Sequence, residues 1–229
     1  AREEVERITT REERTGSALA LLGKMLNMHT PRRIESFDIS NISGTDIVAS
    51  MVVFTDGKPK KRDYKRFALK DMAGQDDYAS MEQVVTRRFT HLKEGDTNFG
   101  DMPDLLLIDG GVNHAKTALQ VLEQLDIAVP VYGMVKDDRH RTRSLVTPEG
   151  EEIAIDTQQS VFSLIGAIQE ETHRFAITYH RQLRSKRLRY SELDKIDGIG
   201  PKRKELLLKT FKSITAIKNA SMDDLRRIL

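Results

Sequence analysis

Hydrophobic and polar positions in the first part of the chain predict one helix followed by a three-stranded antiparallel meander. Residues 2–28 carry apolar side chains near helical spacing, and Pro31 is expected to end that helix. Residues 34–40, 47–54 and 61–69 are separated by turn residues and carry strand-like patterns. The helix is typical of a linker or docking segment, and the three strands begin a sheet.

After the meander, apolar runs alternate with amphipathic stretches. Two short and wholly apolar runs, 105–108 and 130–135, are typical of strands buried on both faces, and a β-rich segment follows as far as Ile155. Helices are predicted over residues 77–92, 112–125 and 158–188. This order predicts an α/β fold, in which a mixed sheet has helices on both faces.

The last part of the chain has a different pattern, with short helices, many lysines and no strand signal. Gly198, Gly200 and Pro201 interrupt it, and we place a domain boundary near residue 189. The predicted organisation is a linker helix (1–30), an α/β domain (31–189) and an all-α region (190–229). Because the chain starts without Met and stops within an amphipathic pattern, we expect a fragment of a longer protein.

Composition excludes several classes of site. The chain has no Cys, which excludes disulfides, thiolate catalysis and Cys-ligated metal centres. No apolar run approaches the ~20 residues of a membrane span, and the charged N-terminal stretch is unlike a signal peptide. We therefore expect a cytoplasmic protein without a membrane partner.

The net charge of +2 hides an uneven distribution. Residues 174–212 contain 12 Lys and Arg but 4 Asp and Glu, a net charge of +8, which leaves −6 on the remaining residues. A basic segment beside an acidic body indicates a polyanion partner for the segment. The alternative is a solvated helix face.

Two acidic residues occupy unusual positions in predicted strands. Asp38 lies between Phe37 and Ile39, and Asp109 ends the apolar run 105–108. Unpaired buried carboxylates are costly, and two that meet at one end of a sheet form a site for Mg²⁺ or Mn²⁺. The alternatives are an exposed strand face for Asp38 and turn chemistry in Asp-Gly-Gly for Asp109.

One flank of the long predicted helix carries groups that bind metals or phosphates. On a helical wheel His173 lies about 120° from the apolar stripe that starts at Val161. The same flank carries Gln169, His180, Arg184 and Arg187. An imidazole could reach a metal or phosphate there while the arginines follow a nucleic-acid backbone, although a solvated helix edge explains the pattern equally.

A glycine-rich turn opens the Leu-rich helix predicted over 203–210. Gly198 and Gly200 let backbone N–H groups approach a phosphate, and Lys202 and Arg203 add positive charge. Such contacts bind the backbone of a nucleic acid without selecting a base. An ordinary turn between two helices is the alternative.

Five motifs occur in an order that resembles the C-terminal half of the UvrC family, the incision subunit of bacterial nucleotide excision repair. They are Glu35–Ser40, Asp76–Met81, Leu107–Gly111, Glu171–Ile177 and Ile196–Arg203. The resemblance implies an RNase H-like endonuclease domain followed by a helix-hairpin-helix region. It places the catalytic, metal-binding set on Asp38, Asp109 and His173, with Mg²⁺ or Mn²⁺ as cofactor and the 5′ incision as the reaction.

The same resemblance suggests further residues and partners. Asp77 is either catalytic support or a helix cap, and Lys136 either contacts the scissile phosphate or extends to solvent. The implied partners are damaged double-stranded DNA and UvrB, whose contact segment should precede residue 1. The family has two helix-hairpin-helix motifs, whereas this chain shows one, at 196–203.

Two other functions fit parts of the pattern. The carboxylates could be structural, in a non-catalytic DNA-binding or assembly module. A second alternative is another RNase H-like nuclease such as a junction resolvase, although the hairpin and the set of five motifs disfavour it.

Overall fold

A computed structural model describes residues 2–42, 46–69, 76–137, 141–194, 196 and 198–228. The chain divides into two compact units, Ala1–Ala176 and Ile177–Leu229. The first contains helices α1 (Arg2–Met25), α2 (Asp77–Lys93) and α3 (Val112–Gln124), and α4 (Gln159–Asp194) begins in it and ends in the second. Among the described residues, no helix combines the length and apolar character needed to cross a bilayer.

The first unit is built on one mixed sheet, in the order β3-β2-β1-β5-β6-β7-β8, with β4 paired to β2. The strands are β1 (Arg33–Ile42), β2 (Asp46–Thr55), β3 (Lys58–Pro59), β4 (Lys65–Leu69), β5 (Leu105–Ile108), β6 (Val131–Lys136), β7 (Thr142–Val146) and β8 (Glu152–Ala154). Strands β1, β5 and β6 are parallel neighbours, and the other pairs are antiparallel. The predicted mixed sheet flanked by helices is therefore confirmed.

Side chains alternate between the two faces of the sheet, and each face packs against two helices. In β5, Leu106 and Ile108 face α2 and α3, in a core with Phe37 and Phe89. The two other leucines of β5 face α1 and the first part of α4, in a core with Leu22, Ile165 and Ile168. Because β5 is buried on both faces, its apolar run shows no alternation.

The N-terminal helix contributes directly to this second core. Ala18, Leu19 and Leu22 are almost fully buried against the sheet, as is Leu26 just after the helix. Apolar burial of this kind stabilises the fold by about 25 cal/mol per Å². The second half of α1 thus docks on the same sheet as α4.

The third predicted strand, 61–69, is shorter in the structure, where only residues 65–69 form a strand. A 3₁₀ turn, Lys61–Asp63, separates the short β3 from β4. The turn brings the buried Asp63 carboxylate to Arg33, whose Nη1 donates to Oδ2 at 2.6 Å. Alternation alone does not reveal such a partner.

The Asp63–Arg33 pair belongs to a buried charge network centred on Glu35 of β1. Glu35 accepts two hydrogen bonds from Arg88 of α2, at 2.9 and 2.7 Å, and two from Arg33, at 3.1 and 2.9 Å. Both Glu35 and Arg88 are fully buried. The network joins the start of β1 to α2.

A carboxylate also joins the starts of β1 and β5. The side chain of Asp104, directly before β5, accepts hydrogen bonds from the backbone N–H groups of Arg32 and Arg33, at 2.8 and 2.7 Å. The backbone N–H of Asp104 in turn donates to the carbonyl of Arg33 at 2.8 Å. These contacts fix where the first residues of β5 lie against β1.

The second unit is helical, as predicted. It holds the end of α4 followed by α5 (Pro201–Phe211), α6 (Ile214–Lys218) and α7 (Met222–Arg226). Gly198 adopts a positive φ of 82°, a backbone conformation that favours glycine, and Gly200 caps the N-terminus of α5 with Pro201 in its first turn. Arg203 closes the turn by donating to the carbonyl of Gly198 at 2.9 Å.

Candidate active site

Three parallel strands end at the same edge of the sheet and bring two acids and a lysine together. In β1, Asp38 lies on the face toward α4, because the adjacent Phe37 faces α2 and α3. Asp109 follows β5, and its backbone N–H donates to the carbonyl of Phe37 at 2.8 Å. Lys136 ends β6 on the same face as Met134, which packs beside α4. The carboxyl ends of these neighbouring strands thus carry Asp38, Asp109 and Lys136, and this place is called the acidic edge below.

The two carboxylates have few hydrogen-bond donors for buried acids. Asp38 is 7% exposed, and the side chain of Asp109 is 5% exposed. Lys136 Nζ donates to Asp109 Oδ2 at 3.0 Å and lies 2.7 Å from Oδ1, so one ammonium faces both oxygens of this carboxylate. Asp38 Oδ2 accepts a short hydrogen bond from Ser40 Oγ, two residues along the same face of β1. Sequence reasoning missed Ser40, although its i+2 position in a strand was the signal.

The pKa of Asp38 is raised to about 6, mainly by burial and also by the neighbouring Asp109 carboxylate. The Ser40 hydroxyl and the charge of His173 act in the opposite direction on the pKa of Asp38. Two carboxylates that approach one another in a desolvated place repel when both are ionised. The edge therefore holds more negative charge than its own lysine neutralises.

Helix α4 brings His173 to this edge through an adjacent threonine. Thr172 Oγ1 donates to Ser36 Oγ of β1 at 3.0 Å, in a fully buried contact between the helix and the sheet. The next residue, His173, is consequently directed away from the core and is exposed. It lies near enough to Asp38 to influence its pKa.

An open groove of about 820 Å³ runs between α4 and the ends of β6 and β7. His173 and Lys136 line it together with Arg141, Thr142, Phe162 and Gln169. Gln169 was predicted to lie on a ligand-binding flank, but its side-chain oxygen accepts hydrogen bonds from the backbone and side chain of Thr142. The groove was not predicted, because its walls come from elements distant in sequence.

The donor set at this edge fits a hard divalent cation. Carboxylate oxygens are the ligands that Mg²⁺ and Mn²⁺ prefer, and the two buried acids of the edge, Asp38 and Asp109, supply four of them. The Lys136 ammonium at 2.7 Å from Asp109 Oδ1 shows that a positive charge already lies against this carboxylate. Within the described ranges, however, no three His, Asp or Glu side chains are already arranged around one ion position.

Comparison with known families decides between the possible classes of α/β domain. The family model described as the UvrC RNase H endonuclease domain matches residues 23–177, which include all of the sheet and the first part of α4. This chain belongs to the UvrC family. A second model, the SAM-like helix-hairpin-helix tandem, matches residues 190–228 and covers the helices α5 to α7.

Relatives of known name agree with the family. The chain is 49% identical over 234 residues to the UvrABC system protein C of Thermoanaerobacter sp. strain X514, covering 96% of this chain and 38% of that protein. The protein of the same name from Streptococcus equi subsp. zooepidemicus is 47% identical over 219 residues, covering 94% of this chain and 36% of that protein. This UvrC-family chain therefore spans little more than a third of the length of these relatives.

Solved structures give weaker similarities. Human endonuclease V matches with 13% sequence identity and a TM-score of 0.40, over 66% of this chain and 85% of the other. Ciona intestinalis endonuclease V, in complex with a DNA that contains inosine, matches with 16% identity and a TM-score of 0.36, over 60% and 59% of the two chains.

The remaining predicted residues of this UvrC-family chain fall into separate places. Asp76 caps α2, because its side chain accepts from the backbone N–H groups of Tyr78 and Ala79 at 3.0 Å. Asp77 lies in the first turn of α2 and is exposed, so its role as catalytic support stays a prediction.

The predicted DNA-binding residues all lie in the second unit. Gly198 and Gly200 form the turn before α5, and Lys202 is exposed in the first turn of that helix. The side chains of His180, Arg184 and Arg187 lie outside the part of the structure that is described. These assignments remain predictions.

Proposed function

We propose that this chain is the catalytic part of a metal-dependent DNA endonuclease that makes the 5′ incision in nucleotide excision repair. The observation that supports this proposal is the convergence of two buried carboxylates, Asp38 and Asp109, at one edge of the sheet, where the Lys136 ammonium already contacts Asp109. Phosphodiester hydrolysis needs an anionic, oxygen-lined place for a divalent cation, and few protein ligands suffice for Mg²⁺.

In this proposal Asp38 and Asp109 hold Mg²⁺ or Mn²⁺, and the His173 imidazole is the third ligand or accepts a proton from the attacking water. When bound, such an ion lowers the pKa of water and offsets charge on the leaving oxygen. The raised pKa of Asp38 follows mainly from burial, so a bound cation would favour its ionised form.

Lys136 has a place in the same proposal. Its Nζ lies 2.7 Å from Asp109 Oδ1 while its side chain is 37% exposed, so it can reach from the carboxylate toward the groove. We propose that this ammonium meets the scissile phosphate once a metal takes over the charge of Asp109. Lysine suits this role because it binds phosphate as a compact point charge on a flexible stem.

The basic segment supplies the contacts that hold DNA. Lys202, Arg203 and the turn of Gly198 and Gly200 would bind backbone phosphates, and His180, Arg184 and Arg187 would extend that surface along α4. Damaged double-stranded DNA is the proposed substrate and UvrB the proposed protein partner, in a cytoplasmic repair complex. The hairpin contacts are independent of base sequence, which suits a repair enzyme that acts at many sites.

A non-catalytic DNA-binding or assembly module is the second candidate. Lys136 already pairs with Asp109, and no three-residue cluster surrounds an ion position among the described residues. In that case the carboxylates are structural, and another chain cuts the DNA.

Nicking of a gapped duplex by this chain separates the two candidates. With Mg²⁺ or Mn²⁺, we expect one strand to be cut, and Asp38→Asn to lower the rate by about 10²–10⁴-fold, because the ion loses an anionic ligand. Asp126→Asn is the matched control: α3 leads away from Asp109, Asp126 lies after it and before the start of β6, and its φ of 53° suits Asn. Equal rates for Asp38→Asn and the unchanged chain would exclude the nuclease assignment.

A further inference from the structure

An aromatic pair that consists of an exposed tyrosine and a half-buried histidine lies beside the candidate active site, on the opposite face of the sheet. Tyr78 of α2 and His114 of α3 have ring centroids 4.8 Å apart, with an angle of 43° between the ring planes. Tyr78 is 45% exposed, unlike most large apolar side chains of this unit. The motif Asp76–Met81 contains this tyrosine, and the proposed chemistry does not use it.

The pair is tied to the loop that carries Asp109. His114 packs on Gly110, the next residue after Asp109, so closely that a Cβ at Gly110 would lie 2.7 Å from His114 Cγ. Only glycine leaves room for the imidazole there. The Tyr78 ring therefore contacts a ring that itself contacts the backbone next to a proposed metal ligand.

The tyrosine is held in place at both ends. The Asp76 side chain accepts from the Tyr78 backbone N–H at 3.0 Å and fixes the first turn of α2. At the other end, Asn113 Nδ2 approaches the Tyr78 hydroxyl oxygen at 3.4 Å. An exposed ring with a fixed backbone loses little conformational entropy when a flat ligand stacks on it.

We infer that the Tyr78–His114 pair is a stacking subsite for the base of a nucleotide next to the scissile phosphate. The inference rests on the proposed nuclease function, because only a phosphate at Asp38 and Asp109 brings a base to this side of the edge. Aromatic rings bind bases of any type through their faces, so the subsite positions the strand without selecting sequence. It favours unpaired or distorted DNA, in which a base is free to leave its own stack.

A purely structural role is the competing explanation, in which the two rings only join α2 to α3. The two explanations differ in what the free face of Tyr78 contacts when DNA is bound. A structural role predicts a loss of stability in Tyr78→Ala without any dependence on individual bases of the substrate.

The first experiment removes either the Tyr78 ring from the protein or one base from the substrate. Nicking of a gapped duplex is measured for the unchanged chain, Tyr78→Ala and Tyr78→Phe, on substrates with a stable abasic residue at each position flanking the incised bond. We expect one abasic position to raise KM about tenfold for the unchanged chain and for Tyr78→Phe. For Tyr78→Ala, KM on intact DNA should already be about tenfold higher, with kcat within about twofold and no further effect of that abasic residue.

Met102→Ala is the control variant. Met102 is 47% exposed and lies at the opposite edge of the sheet, before β5. It should leave KM and its dependence on the abasic residue unchanged. If Tyr78→Ala also keeps the KM and the abasic dependence of the unchanged chain, the subsite does not exist.

The second experiment does not require cleavage. In the Asp38→Asn background, 2-aminopurine is placed in turn at each position flanking the expected incision. At one position it should lose fluorescence on binding, because stacking on an aromatic ring quenches it, and Tyr78→Ala should abolish that loss. If the unchanged chain does not nick DNA but the quenching depends on Tyr78, the proposed nuclease function fails and the stacking contact stands. Quenching that does not depend on Tyr78 overturns the inference alone.

Discussion

Strand β1 carries two buried carboxylates three residues apart, and the protein treats them in opposite ways. Glu35 faces α2 and accepts four hydrogen bonds from two buried arginines. Asp38 faces α4, accepts a hydrogen bond from the Ser40 hydroxyl, and lies against a second carboxylate, Asp109. The charge of Glu35 is fully compensated by neighbouring arginines, whereas the charges of Asp38 and Asp109 are only partly compensated.

The difference separates charge that supports the fold from charge that is kept for a ligand. Desolvation of an ion pair is repaid only when its geometry and hydrogen bonds are nearly complete, as they are around Glu35. The carboxylates of the acidic edge lack such a set of hydrogen bonds, which lowers the stability of the folded chain in the absence of a cation. An incompletely neutralised buried acid is therefore the stronger indication of a site in this chain.

The largest expected effect comes from breaking the arginine network around Glu35. Arg88→Met should lower the free energy of unfolding by about 3–5 kcal/mol, since it leaves the Glu35 carboxylate buried with one partner fewer. Arg87→Met is the control, because Arg87 is the adjacent residue of α2 and is exposed. Urea denaturation followed by circular dichroism measures both. Similar losses in the two variants would remove the distinction between the clusters.

At the acidic edge, removal of a charge should raise the free energy of unfolding instead of lowering it. Because the pKa of Asp38 in the folded chain is about 6, above its unfolded value of ~3.9, the folded state binds more protons between these values. Stability should thus fall as the pH rises through about 4 to 6 and stay lower above it. Asp38→Asn should raise stability at neutral pH without metal by about 1–3 kcal/mol and reduce this pH dependence.

Urea denaturation at about pH 4.5 and at neutral pH tests that sign. Asp126→Asn, already the control for nicking, should keep the pH dependence of the unchanged chain. A loss of stability in Asp38→Asn at neutral pH would mean that both acids of β1 support the fold.

A smaller effect is expected from the lysine at the edge. Lys136→Met removes an ammonium that lies 2.7 Å from Asp109 Oδ1 and competes with a metal ion for that carboxylate. Mn²⁺ affinity, measured by calorimetry, should rise about three- to tenfold, since like charges repel strongly in a partly buried place. Lys93→Met, at the end of α2, should leave it unchanged. Weaker Mn²⁺ binding in Lys136→Met would show instead that the lysine orders the carboxylates.

The smallest effect extends the comparison to the second unit, where charge is placed on the surface. Lys202→Ala should weaken DNA binding about two- to threefold and reduce the slope of log affinity against log salt by about one, as the loss of one phosphate contact requires. Lys202 is the cleaner choice because Arg203 also closes the turn through Gly198. Lys116→Ala, on α3, is the control, and an unchanged slope for Lys202→Ala would exclude that phosphate contact.

Sequence alone predicted much of the sheet and the two acids of the edge, because patterning and chain order determine both. Strands β5 and β6 were recognisable as apolar runs, so Asp109 and Lys136 could be placed at strand ends. The different fates of Glu35 and Asp38 could not be predicted, since the partner of Glu35, Arg88, lies 53 residues away. The late start of the third strand could not be predicted either. The turn before it places Asp63 against Arg33, which is distant in sequence.

The contacts of Asp104 have a consequence for how faithfully the site assembles. All four residues of the run Leu105–Ile108 are apolar, so each can be buried on either face of the sheet. The sequence of β5 alone therefore does not determine its pairing register with β1. A slip of one residue would turn Asp109 toward α2 and separate it from Asp38. By binding two consecutive N–H groups at the start of β1, Asp104 selects one alignment. The correct meeting of the two acids is thus decided at the far end of the strands.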